Sequence, residues 1–215
     1  MLPPVENKAS GFRLFLMTVI GRSYPRLIGL QREKSWLFFE IFMPMLSVAA
    51  YVFVYRAIGA PEDYIGFVVV GGAMTAFWMN ILWSMSSQLY WEKEQGNLAL
   101  YIIAPGSMMA ILLGMALGGL LSTLLRAVAI IVLGSLAFNV SYVIVSLWQL
   151  LAVFALSIVA LYGLGMMTAS IFLLLSREAW HLANLAMEPI YLVSGMYFPV
   201  KNLGFWTAAV ASIIP

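Results

Sequence analysis

The chain has 215 residues, 63% of them hydrophobic and only 9% charged, with a mean hydropathy of +0.97, where a soluble domain carries roughly 25% charged residues. That composition describes an all-α integral membrane protein of one domain, residues 1–215, with no room for a sizeable soluble domain. A net charge of +2 names no acidic or nucleic-acid partner, the absence of cysteine excludes disulfides and thiolate chemistry, and the single His181 cannot build a metal cluster alone.

Residues 1–10 are polar, contain Pro3 and Pro4, and read as a loose tail. Residues 11–34 mix apolar side chains with Arg13, Arg22, Arg26, Arg32 and Lys34, interrupted by Pro25. The pattern of residues 1–35 predicts a cytoplasmic segment with an interfacial helix, its basic heads toward anionic lipid; a plain basic flank that only orients the first span is the alternative. No apolar core ending in a small-residue cleavage site follows, so the segment does not read as a cleaved signal peptide.

The first span runs from about Trp36 to Ile58, with Glu40 and Pro44 inside it, and Gly59 to Asp63 form a turn. The second, residues 64–90, carries no charge. At 1.5 Å per residue it covers roughly 40 Å against a hydrocarbon core of roughly 30 Å, so it tilts or protrudes. A polar break, residues 91–109, separates it from the third span, residues 110–138, which holds Arg126. Asn139-Val-Ser141 is a short turn. The fourth run, residues 142–175, is too long for one straight crossing, and Gly163 and Gly165 offer a bend. The fifth span, residues 182–198, carries Glu188-Pro189; residues 199–215 are too short an apolar piece to cross and read as a re-entrant or interfacial segment.

Five spans with the N-terminus inside put six N-terminal Lys/Arg, Lys93 and Arg177 on the cytoplasmic side, and only Arg56 and Lys201 outside. This bias orients the N-terminus and the 91–109 loop to the cytoplasm. Within the loop, Glu92 to Gly96 cannot enter lipid, Asn97 to Ala104 makes a two-turn apolar helix, Pro105-Gly106 ends it, and Ser107 caps the next helix. A short helix held between two spans can be pushed by a partner and move both.

Glu92-x-Glu94-x-Gly96-x-Leu98, then Ala104-Pro105 and Leu112-x-Gly114, resembles the cytoplasmic loop of type-2 ABC transporter permeases. The family form commonly has Thr where this chain has Asn97. Ser194-Gly-Met-Tyr-Phe-Pro199, Phe205-Trp206 and Pro215 are similar to the family's fifth-span exit and extracellular re-entrant helices, and the basic N-terminal segment is similar to its interface helix. The resemblance covers nearly the whole chain. It implies a coupling helix docked on an ATPase through Glu92, Glu94, Gly96, Leu98 and Pro105, and a re-entrant segment involving Gly195, Tyr197 and Pro199. It also implies a multi-pass protein of the plasma (inner) membrane, paired with a second permease as homodimer or close heterodimer. The family has six spans where five are counted here, so the expectation is a chain cut before a last span. No Gly-x-x-x-x-Gly-Lys-[Ser/Thr] loop occurs, so no phosphate cradle lies in this chain. ATP and Mg would sit on the partner ATPase, and the implied function is ATP-driven export along a path between two permease halves.

Arg126 in mid-span is costly facing lipid, by a few kcal/mol on insertion scales. It reads either as a gating residue or as a structural pair with Glu188 or Glu40; Glu188 is the expected partner. Glu40 is expected to hydrogen-bond the interfacial segment. Gly114-x-x-x-Gly118-Gly119 permits close helix approach, in ordinary packing or at a dimer seam. The competing classes are an ATP-independent secondary transporter or channel, which would carry more intramembrane charge, an intramembrane enzyme, for which no motif is present, and a non-transporting scaffold.

Overall fold

The computed structural model describes residues 11–104, 106–140, 142, 146–200 and 204–211, apart from the side chains of Leu30, Gln31, Ala186, Met187, Glu188, Leu192, Thr207 and Val210. The expected loose tail at 1–10, together with Pro105, Ser141 and Pro215, therefore lies outside the described residues. Among those described there is no strand.

Helix α1 (Phe12–Arg32) precedes α2 (Lys34–Ala57). The next helical stretch is unbroken from Asp63 to Glu94: α3 (Asp63–Met79), a π-helical segment (Asn80–Met85) and α4 (Ser86–Glu94). Then come the short α5 (Leu98–Ile103), α6 (Met108–Phe138), α7 (Leu147–Leu175), α8 (Glu178–Val193) and α9 (Phe205–Ala211). Four helical stretches are long and apolar enough to cross a bilayer: 34–57, 63–94, 108–138 and 147–175. They correspond to the first four expected spans. Helix α8 has 16 residues, a rise of roughly 24 Å, which is shorter than the hydrocarbon core. It stops at Val193, inside the expected 182–198 span.

Span two is the core of the bundle, because it is flanked on all sides: α2, α6 and α7 each pack against part of it. Phe77, Trp78, Ile81 and Met85 on it are fully buried among Ala127 and Ile130 of α6 and Ile158, Leu161 and Tyr162 of α7. The other spans keep broad apolar faces outward, as lipid-facing helices do.

Pro25 does not interrupt α1, which runs through it. Pro25 and Gly21, four residues earlier, are both exposed. The carbonyl orphaned by the missing proline N–H therefore points away from the packed face, where it costs least. The packed face is instead Val19, Arg22, Ser23 and Arg26, seated over the glycines of α6. A Cβ on Gly114 would lie 2.7 Å from the Val19 carbonyl oxygen, and one on Gly118 would lie 2.9 Å from that of Ser23. The small-residue motif is thus the seat of α1. Two basic heads are also relocated: Arg22 and Arg26 turn into the protein rather than toward lipid, while Arg13, Arg32 and Lys34 stay exposed.

At the opposite end, residues 194–200 fold back against span two. The backbones touch there, since a Cβ on Gly71 would sit 1.5 Å from the Met196 carbonyl oxygen. Gly71 lies eight residues into the helix, so this segment reaches roughly 12 Å below its start. Gly195 turns the chain at φ 71°, where a side chain would be strained. Tyr197 is buried, stacks on Tyr51 at 4.4 Å and accepts a hydrogen bond from Thr75 Oγ1 at 3.1 Å. Tyr55 closes the slot by donating to the Tyr197 carbonyl at 2.9 Å. Nearby, Arg56 donates to the Phe138 carbonyl at the end of α6, where Asn139 adopts the left-handed conformation.

Candidate functional site

The polar residues of the molecule gather where α1, the end of span two and α5 meet. Helix α4 ends at Glu94, and Gly96 takes φ 76°, a left-handed stop that only glycine adopts without strain. The Asn97 N–H returns to the Glu92 carbonyl at 2.8 Å, so the chain reverses and starts α5 within three residues. Ser107 then caps α6, as its spacing predicts, accepting the Ala110 N–H at 3.1 Å.

Glu92 is the hub of this corner. It forms an ion pair with Arg22 of α1 and accepts Asn97 Nδ2 at 3.0 Å. Burial alone would raise its carboxyl. The hydrogen bonds from Arg22, Asn97 and Tyr101, with the guanidinium charge, outweigh that and hold it below the usual carboxylate range. The Tyr101 phenol moves the other way, raised by burial and by its bond to Glu92. Arg22 also lies over the Tyr101 ring at 4.9 Å. One acidic side chain thus ties α1, α4 and α5 together. Expected as a docking charge, Glu92 faces inward; Glu94 is exposed, as are Gly96 and Lys93.

Helix α5 has two unlike faces. Leu98 and Tyr101 pack on Leu89, Ile111 and Met115. Leu100, Ile102 and Ile103 are 58%, 69% and 77% exposed. Three large aliphatic side chains on a six-residue helix, beside a run of charges, form an apolar knob that the chain itself leaves uncovered.

Deeper in the bundle, Arg126 of α6 is 6% exposed and fully engaged. Its Nη1 meets Glu40 of α2 at 2.5 Å, and its other nitrogens donate to the Ser122 carbonyl at 3.2 Å and the Ser122 and Thr123 hydroxyls. The side chain of Glu188, the expected partner, lies outside the described residues. Glu40 likewise turns to Arg126, in place of the expected hydrogen bond to the interfacial helix. Pro44 stands four residues after Glu40 within α2, so the Glu40 carbonyl lacks a helical donor just where its carboxylate leaves the helix.

The π-helical segment is invisible to a search for charges or prolines. Its widened turn lets Asn80 accept Tyr162 Oη at 3.4 Å inside the bundle, next to Gly119 of α6. Six residues later Ser86, at the start of α4, bonds Thr168 of α7. The same segment leaves Trp83 exposed, 5.4 Å from Trp180 of α8. The only advance signal is the density of Asn, Ser and Gln between residues 80 and 88 of an otherwise apolar span. Such π turns recur at functional sites.

Of the expected re-entrant residues, Gly195 and Tyr197 are buried in the slot described above and Pro199 is partly exposed. Helix α9 follows with Phe205 and Trp206 exposed. Among the described residues no group of His, Cys, Asp and Glu could hold a metal ion.

Residues 26–215 match the ABC-2 type transporter family, so the chain belongs to that family: it is a permease, the membrane domain of an ABC-type transporter. Neither the curated proteins nor the solved structures offer a match to this chain.

Proposed function

We propose that this permease is the membrane half of an ATP-driven exporter, powered by a separate cytoplasmic ABC ATPase that docks on α5. The observation carrying the reading is the two-faced α5. Its inner face, Leu98 and Tyr101, packs half-buried against the core, and its outer aliphatic knob has nothing over it among the described residues. Through Glu92 and Arg22, a push on α5 is transmitted to α1 and the end of span two together. Since α1 lies on the glycine seat of α6, the push also reaches the third span.

In this reading α1, the 91–109 loop and Arg177 face the cytoplasm of a plasma (inner) membrane protein. Helix α8 makes a fifth crossing, and the segment that follows it, beginning with the fold-back at 194–200, is re-entrant on the far side. ATP and Mg are bound by the ATPase alone. A second permease, identical or closely related, completes a path between two halves.

The test is co-purification of an ATPase with the tagged permease, followed by ATPase and transport assays on the pair. Glu94→Ala should leave the complex assembled and hydrolysing ATP while transport falls. Wild-type transport per ATP in that variant would remove Glu94 from the mechanism. Failure of any ATPase to associate would overturn the reading as a whole.

A further inference from the structure

Three guanidiniums converge where the side chains of α1, seated on α6, reach span two, and they are not equally occupied. Arg22 has Glu92 and Arg126 has Glu40. Arg26, between them, donates to the neutral Gln88 Oε1 at 2.7 Å and has no carboxylate within ion-pair distance among the described residues. Burial pushes it down to about 10; Tyr162 and Glu40 oppose the shift, and the neighbouring charges of Arg126 and Arg22 add to it; it is still a cation at neutral pH. Arg22 adds a buried Nε with no hydrogen-bond partner. A partly buried cation held only by a neutral amide oxygen leaves its charge open to a counter-ion.

Open space surrounds Arg26. A cavity of about 200 Å³ lies between Arg26, Arg126, Glu40, Ser84 and Ser122, with Glu33 and Trp36 at its edge. A second, about 440 Å³, shares Trp36, Glu40, Ser84 and Arg126 with it; its remaining wall is mostly apolar, including Phe39, Met43, Met79 and Trp83, with Asn80 as a polar member. On its other side a polar cavity of about 420 Å³ shares Arg26 and Ser84 and extends along Gln88 to Glu92. Ser84, on the π-helical segment, borders all three. Polar space holding an unspent cation thus adjoins apolar space walled by side chains that α2 leaves exposed: Trp36, Phe39 and Met43. Of the three acids here, Glu40 is paired with Arg126, Glu92 is paired with Arg22, and Glu33 is exposed.

From this juxtaposition we infer a binding site for the phosphoryl headgroup of a membrane amphiphile, with Arg26 as its principal counter-ion and the Trp36–Phe39–Trp83 chamber receiving the start of its tail. A phosphoryl group suits the site because its several oxygens can take the guanidinium fork and the Ser84 hydroxyl together without displacing Glu40 from Arg126. A tail accounts for the adjoining apolar chamber, which a free anion would leave unused. The inference does not depend on the exporter reading: the amphiphile could be a resident bilayer phospholipid or a transported one, with the same headgroup chemistry.

The test is native mass spectrometry of the purified full chain, with dioctanoyl phosphatidic acid, dioctanoylglycerol and inorganic phosphate as probes. Phosphatidic acid should bind at least tenfold more tightly than either of the others, and Arg26→Gln should remove at least tenfold of that affinity. Ser84→Phe fills the junction of the three cavities without touching the seat of α1, and should weaken binding similarly; it serves if Arg26→Gln does not fold. Arg26→Lys should retain most of the affinity. A phospholipid that co-purifies one-to-one and is lost in Ser84→Phe identifies a resident lipid. An empty wild-type site that fills only with added phosphatidic acid identifies a visiting one. Equal binding of phosphatidic acid by wild type and both disabling variants, or equal binding of dioctanoylglycerol and phosphatidic acid by wild type, overturns the proposal.

Discussion

At the Tyr55 end of the bundle, residues 194–200 lie in a slot cut by Gly71, lined by Tyr51 and Thr75 and closed by a tyrosine hydroxyl. At the α1 end, α1 is also seated closely on Gly114 and Gly118 of α6, but the ties that reach span two and α2 are ionic, Arg22–Glu92 and Arg126–Glu40. They stand beside open cavities and an uncovered aliphatic helix. Close backbone packing resists displacement because any shift creates overlap on one side and a void on the other. Ion pairs and cavities tolerate small shifts and re-form. One end is therefore built to stay, and the other to be moved by something that touches it.

Several substitutions probe this contrast, taken from the largest expected loss of stability to the smallest. Glu40→Ala strands the buried Arg126 charge and should cost about 3–5 kcal/mol, read as a lowered melting temperature in detergent. Because Glu40 is itself partly exposed, the reverse change Arg126→Leu should cost less; equal losses would mean that the pair is not the asymmetric one described. Gly71→Ala drives a methyl group into the Met196 carbonyl and should cost about 3 kcal/mol, with protease access to residues 194–200 rising first. If Gly71→Ala left that segment protected, the Tyr55 end would not be the rigid one.

Loss of the Arg22–Glu92 tie in Glu92→Gln should cost about 2 kcal/mol and loosen α1 selectively, seen as faster amide exchange over residues 12–32. The same tie sets a pH dependence. The folded Glu92 carboxyl lies below its usual value near 4.5. Its stabilising contribution is therefore complete above that value and is lost as pH falls through the lower, folded one. Acidification below about 4.5 should loosen α1 in the wild type and add nothing in Glu92→Gln. Last, Leu100→Ser together with Ile103→Ser should change stability by less than about 0.5 kcal/mol, while lowering ATPase association in a pull-down. Unchanged association would move the docking surface away from α5.

The sequence made the long elements legible because lipid imposes long, mostly apolar runs: helix α6 begins at Met108, two residues before the start read for span three, and ends at Phe138. The 91–109 break was legible for the same reason, since Glu92, Lys93 and Glu94 cannot sit in hydrocarbon. What escaped was pairing across distance. Arg22 and Glu92 are 70 residues apart, and nothing local to either tells which partner it meets. Arg126 had two candidate carboxylates, and only the packing of α2 beside α6 brings Glu40 to it. The inward turn of Arg22 and Arg26 followed from Gly114 and Gly118, whose motif was visible while its occupant was not. The π-helical segment escaped because it contains neither glycine nor proline, and a widened turn leaves no mark on hydrophobic periodicity over six residues.

That widened turn makes span two two helices with independent angular settings. Each residue inserted into an α-helix rotates everything beyond it by about 100°, and a π segment is such an insertion absorbed without breaking the rod. Upstream of Asn80 the span keeps the phase that presents Gly71 and Thr75 to the 194–200 slot. Downstream it keeps a different phase, presenting Ser84, Gln88 and Glu92 to α1. Deleting one residue between 80 and 85 would bring the two halves into a single phase, and either the slot or the arginine cluster would then face the wrong neighbour.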